Sequence, residues 1–143
     1  MNREAIYTAL FNLLQGIDGI ETFSRILAHW DDVPASQQPA LYMTVVSQRA
    51  EQVTGFPTKY VLDAKIWLYT HRDSAGEIPS VAINRILDAL DAALKPLPGP
   101  SFKQTLGGLV EHCWIDGEIG TDEGTLGAQS VAIVPVRMLV VAS

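Results

Sequence analysis

The chain opens on a helical stripe. Ile6, Leu10, Leu13, Leu14 and Ile17 recur at the spacing that puts apolar side chains on one face of an α-helix. Asn2 stands where an N-cap belongs, and Glu4 falls in the first turn, where the helix dipole favours a carboxylate. Gly16 and Gly19 close the element. A short extended piece over 22–27 leads into the polar segment His29-Trp30-Asp31-Asp32-Val33-Pro34-Ala35-Ser36-Gln37-Gln38-Pro39, whose two prolines exclude regular helix. Period-two alternation follows over 41–53: Leu41, Met43 and Val45 point one way, Tyr42, Thr44 and Val46 the other. Over 60–70 the alternation is cleaner, with Tyr60, Leu62, Ala64, Ile66 and Leu68 on one face and Asp63, Lys65, Trp67 and Tyr69 on its opposite. Gly55-Phe56-Pro57 between the two runs marks a turn. The connection is too short for a crossover helix, so the runs form an antiparallel pair.

A second helix is predicted over 79–95, with Val81, Ile83, Ile86, Leu87, Leu90 and Leu94 as its buried stripe and Asp88 and Asp91 facing outward. Pro79 suits its first turn and Pro96 stops it. Strands are predicted over 109–116 and 130–141. Between them, 117–127 holds four glycines and three carboxylates, the composition of a mobile loop. Pro135 has no amide hydrogen, which predicts that the last strand runs at a sheet edge or bulges there. The order α, β, β, β, α, β, β implies an α+β fold in a single domain, 1–143. It is a two-layer sandwich of a mostly antiparallel sheet of four to five strands with two helices on one face. The second face carries Trp67, Tyr69 and, in one register, Trp114; aromatics on a nominally wet face imply that another molecule covers it.

Composition narrows the function classes. Ten Lys and Arg against 16 Asp and Glu give a net charge of −6, with 18% charged and 48% hydrophobic residues in 143. An acidic, sparsely charged chain is badly equipped to grip a phosphate backbone by counterion release. It has no polybasic run for an anionic membrane, and the apolar stretch over 131–142 is broken by Pro135 and Arg137, short of the ~20 residues a span requires. The amphipathic pattern begins directly after Met1, without the apolar core of a signal peptide. One cysteine rules out an internal disulfide and every multi-cysteine zinc motif, and the expected setting is the reducing cytoplasm.

Catalytic chemistry finds little foothold. Cys113 shares a strand face with Leu109 and Ile115 and reads as a buried, inert thiol. His112 is its sequence neighbour and therefore points to the opposite face. His29, His71 and His112 are scattered, and neither HExxH, G-x-S-x-G nor a phosphate-cradling glycine loop occurs. The carboxylates Asp116, Glu118, Asp122 and Glu123 lack EF-hand spacing; they read as a solvated loop, with weak oxygen coordination of a divalent cation left open. Asp31-Asp32 beside His29 reads as a turn or subunit contact rather than an active-site fragment. No catalytic, cofactor or metal residue is assigned, and the chain is expected not to be an enzyme.

Several phrases carry a family resemblance: Arg3-Glu4-Ala5-Ile6-Tyr7-Thr8-Ala9-Leu10, Phe23-Ser24-Arg25-Ile26-Leu27-Ala28-His29-Trp30-Asp31-Asp32-Val33, Gln38-Pro39-Ala40-Leu41-Tyr42-Met43, Gly107-Gly108-Leu109-Val110-Glu111-His112-Cys113-Trp114-Ile115-Asp116-Gly117 and Val131-Ala132-Ile133-Val134-Pro135-Val136-Arg137. With the size and element order, they make the chain resemble the tail terminator, or tail completion, proteins of long-tailed bacteriophages and prophages. The resemblance implies a minor tail protein of the virion, assembled in the bacterial cytoplasm. It acts without catalysis as a homo-oligomeric ring, a hexamer, that caps the tail tube, ends tube polymerisation and presents the head-joining surface. Its implied partners are its own copies, the tail tube protein and a head-completion or connector protein, with DNA only as passing cargo and no membrane. The acidic balance suits a conduit along which a polyanion slides.

Within that implication the subunit-contact candidates are Arg25, His29, Trp30, Asp31, Asp32, Trp67, Tyr69 and Arg137. Arg25 and Asp31 carry charges that suit an intersubunit pair, and Trp30 is either an interface anchor or a lid over the chain's own sheet. Asp116, Glu118, Asp122 and Glu123 are candidates to line the lumen or reach the tube. Three other readings stay open: a head–tail connector or stopper of similar size, a small metal-dependent enzyme built on the acidic loop and a histidine, and a plain binding module.

Overall fold

The computed structural model describes residues 1–142. Helix α1 (Arg3–Leu14) is capped by Asn2, whose side-chain oxygen accepts the Ala5 N–H at 3.0 Å. Strand β1 (Thr22–Ser24) leads to two 3-10 turns, Trp30–Asp32 and Ala35–Gln37. The long hairpin β2 (Ala40–Glu51) and β3 (Lys59–His71) follows, then helix α2 (Ser80–Ala93) and strands β4 (His112–Ile115), β5 (Gly120–Leu126) and β6 (Gln129–Val141). The six strands form one sheet in the order β1-β2-β3-β6-β4, with β5 also on β6; only β1 and β2 run parallel. This is the α+β, mostly antiparallel arrangement that the spacing predicts, with one more strand.

Both helices lie on the same face. Ile6, Leu10 and Leu14 from α1 and Ile83, Ile86 and Leu90 from α2 meet Leu41 and Met43 of β2, Leu62, Ile66 and Leu68 of β3, and Ala132, Val134, Val136 and Met138 of β6 in one buried core. The period-two pattern of β3 therefore sorts its side chains as expected. The helical stripes need two amendments. Tyr7, between the expected core positions, is buried, its ring under the Arg25 guanidinium. Val81 is 58% exposed, because two positions before Ile83 it falls on the far side of α2 from the Ile83–Ile86–Leu90 stripe.

Two strand expectations are corrected. The 117–127 segment is not a mobile loop: β5 pairs with β6 through Gly120↔Ile133, Thr121↔Ala132 and Asp122↔Val131. Gly127, at φ +70°, makes the tight turn that joins them. The glycines mark the ends and irregularity of a strand whose threonines suit a pleated surface. Nor does Pro135 put β6 at an edge. β6 is central, paired along its length with β3. The Pro135 carbonyl accepts the Asp116 N–H at 3.1 Å, so its main-chain groups face away from β3. The missing N–H falls opposite the gap between β4, which pairs with residues 136–139, and β5, which pairs with residues 129–133. A proline there removes no bond from the β3 ladder.

Candidate interaction surfaces

The second face of the sheet holds most of the candidate residues. Its aromatic end is covered by the chain itself. Val33, Ala40, Tyr42 and Tyr69 form a small second core, against which Ala28, Trp30, Trp67 and Val131 pack half-buried. Tyr69 donates its hydroxyl to the Ala28 carbonyl at 2.7 Å. Burial pushes the Tyr69 and Tyr42 phenols above their ordinary range. Two buried glutamines fasten the same segment. Gln38 Nε2 donates to the Val33 carbonyl and to Gln129 Oε1 (2.9 and 2.8 Å), and Gln129 Nε2 donates to the Thr70 carbonyl at 3.0 Å. Trp30 is thus an intramolecular lid. A groove of about 520 Å³ beside it runs between Leu27, Trp67, Leu126 and Ile133.

The candidates near Trp30 are also partly engaged. His29 Nδ1 accepts the Asp31 N–H at 3.1 Å and caps the 3-10 turn, while Asp31 and Asp32 stay exposed. Arg25 reaches Glu4 on α1, not Asp31; the guanidinium holds the Glu4 carboxyl below the usual carboxylate range. Further along this face Trp67 Nε1 donates to Thr44 Oγ1 at 3.0 Å. Arg137 bridges two carboxylates, Asp63 and Asp116, each at 2.9 Å. Those anions raise the Arg137 pKa further, Asp63 most.

The four acidic candidates do not converge. Asp116 faces Arg137, Glu118 is exposed, Asp122 accepts a hydrogen bond from the Thr125 hydroxyl, and Glu123 accepts the Ser80 N–H at 2.7 Å at the start of α2. Glu123 therefore supplies α2 with a carboxylate at its positive end, a pairing 43 residues apart that sequence spacing does not reveal. No group of three or more His, Cys, Asp or Glu able to hold a metal ion occurs among the described residues. Cys113 is buried on the helix side of the sheet, which pushes its thiol up to about 12. His112 stacks on Trp114 with ring centroids 5.0 Å apart and accepts the Gln104 N–H through Nδ1.

The exposed apolar side chains show a lateral pattern that sequence reading missed. Ile26 and Leu27 follow β1, Val45 and Val46 lie on β2, and Val53 and Phe56 occupy the β2–β3 tip; Ile26 is 83% and Phe56 69% exposed. Across the sheet, Ile78, Val81, Leu97, Phe102, Leu109 and Ile119 flank α2, β4 and β5. Ile26, Leu27, Val45 and Val46 sit at one end of the strand order and Leu109 and Ile119 at the other, while Val53 and Phe56 gather with Val141 at the hairpin tip and Ile78, Val81 and Leu97 belong to α2 and its flanks. No motif announces them; they become visible only when the strand order is known.

Comparison places the fold among solved structures. One chain of the virion of a native gene transfer agent particle aligns with a TM-score of 0.53 at 12% identity, over 98% of this chain and 94% of its own. A second solved chain, described only by a sequence label, aligns with a TM-score of 0.59, also at 12% identity, over 100% of this chain and 99% of its own. No family model and no curated protein matches the sequence. At such identities the likeness is one of fold, shared over nearly the full length.

Proposed function

We propose that this protein is a structural component of a phage or phage-like particle and acts there as a tail terminator. Copies join side by side into a closed ring, a hexamer, that seats on the tail tube, stops its growth and offers the head-joining surface. The carrying observation is that exposed apolar side chains occur at both ends of the strand order on unlike elements, Ile26, Leu27, Val45 and Val46 beside β1 and β2, and Leu109 and Ile119 beside β4 and β5. A self-complementary pair uses one patch twice, whereas two different patches make a heterologous contact that closes into a ring when its rotation permits. The fold shared with a chain of a gene transfer agent virion supports the structural role.

On this reading the acidic balance suits a lumen that passes DNA without holding it. Glu118 is the chain's contact with the lumen or the tube, and Asp31 and Asp32 border a subunit contact. Light scattering on the purified chain is expected to give a mass near six times 15.6 kDa. Electron microscopy of the chain mixed with tail tubes is expected to show rings at tube ends and tubes of arrested length. A chain that stays monomeric at high concentration and leaves tube growth unaltered would falsify the assignment. Rings that ignore tubes and seat on a portal or connector instead would indicate a head–tail connector.

A further inference from the structure

Strand β2 is twelve residues long, but β1 covers only Ala40, Leu41 and Tyr42 on its outer side. From Thr44 to Glu51 no other strand of the chain pairs there among the described residues. The orientation of the free main-chain groups follows from the ladders. Glu111 and Asp116 donate to the carbonyls of Leu139 and Pro135, so odd-numbered residues of β6 face outward and even-numbered ones face β3. Carried through the registers of β6 with β3 and β3 with β2, this turns the N–H and C=O of Val45, Gln48 and Ala50 away from β3. Exposed edges are blunted by charges, proline, bulges or a covering loop. Here the edge has a bulge at Val45/Ser47 and the charges of Arg49 and Glu51 but no lysine or proline, and Val45 and Val46 are 46% and 48% exposed.

We propose that this half of β2 is a docking strand that receives β5 of a second copy, so that the sheet continues from one subunit to the next. This rests on the self-association reading above. Three observations favour β5 as the occupant. It lies across the sheet from β2, and no strand pairs with its outer side among the described residues. Its seven residues match the eight of the free edge. The faces also agree: Arg49 pairs in register with Val61, and Asp122 with Val131, which puts both on the face away from the helices, where Arg49, ion-paired to Glu51 within the subunit, would meet Asp122, bonded to Thr125, across the seam. The contact adds main-chain hydrogen bonds between strands and leaves each subunit's helices on the same side.

The test uses the full chain. Ala50→Pro removes an outward N–H without touching a bond to β3; the variant is expected to keep its circular dichroism spectrum and to lose the ring-sized species in light scattering. A second measurement is independent of assembly strength. Val45→Cys and Gln48→Cys, each combined with Thr121→Cys, are expected to yield a disulfide-linked ladder beyond dimer on a non-reducing gel. Chains with one of these cysteines stop at dimer, since native Cys113 is buried. If Ala50→Pro forms rings like the parent and neither double variant ladders, the strand pairing is overturned while the ring reading stands. If the parent chain itself is monomeric, the ring reading fails and takes the pairing with it.

Discussion

At the scale of single residues, the most informative side chains are those whose surroundings differ from what their neighbours in sequence suggest. Cys113 behaves as strand parity predicts: it is inside, and burial raises its thiol from 9.0 to about 12. The unfolded thiol ionises from about pH 9 and the folded one three units later, so the unfolded chain sheds its proton first. Stability therefore falls as pH rises through that window, by up to about 1.4 kcal/mol per pH unit from this group. Denaturation midpoints for the parent and Cys113→Val at pH 8, 9 and 10 check this; the variant's alkaline limb is expected to be flatter up to pH 10. Tyr7 and Tyr69, also raised by burial, act in the same direction at higher pH. Arg137 is a contrasting case. It bridges Asp63 and Asp116, but its side chain is 41% exposed, so solvent screens both pairs. Arg137→Ala is expected to shift the urea unfolding midpoint only slightly.

At the scale of elements, the sequence displays what depends on periodicity and conceals what depends on distant partners. Helix α1 follows from its stripe and from Asn2, and Leu10, fully buried at 0% exposure, is its deepest side chain. Leu10→Ala is expected to lower stability by about 2–5 kcal/mol, read by urea denaturation, since the surroundings close only partly around the lost volume. Strand β3 is equally legible, because a strand with one buried face must alternate. Strand β5 is not. Its apolar content is a single leucine, and its stability comes from β6 and from the Glu123 carboxylate on the Ser80 N–H, which no window of sequence contains. Pro135 misleads for a related reason: the absence of an N–H matters only on the side where a partner needs it, and that side is set by the registers of β4 and β5. Glu123→Gln is expected to loosen the β5 hairpin and the first turn of α2 together, seen as faster amide exchange in both.

At the scale of the whole molecule, the aromatic candidates have a different role from the one their exposure on a sheet face suggests. Trp67 and Tyr69 were legible as residues in need of a cover, and the cover is the 28–38 segment, Trp30 included, held by Gln38 and Gln129. Trp30→Ala is therefore expected to destabilise the subunit first, in urea denaturation, and to weaken assembly only as a consequence. The pattern of Ile26, Leu27, Val45 and Val46 at one end of the strand order and Leu109 and Ile119 at the other was not legible, because neither group is contiguous in sequence. Strand order brings each group together, and no composition statistic contains strand order.

The division of β6's outer flank at Pro135 has one further mechanical consequence. A continuous flanking strand would unzip as one piece, but here β4 and β5 meet at Pro135, which holds the β4 side through its carbonyl and has no N–H to offer the other. Their fates under strain are therefore separate: the β5 hairpin can lift like a flap while β4 keeps its four registered pairs. In the proposed ring, a subunit squeezed between neighbours would absorb distortion in the flap and leave the wall between β3 and β6 undisturbed.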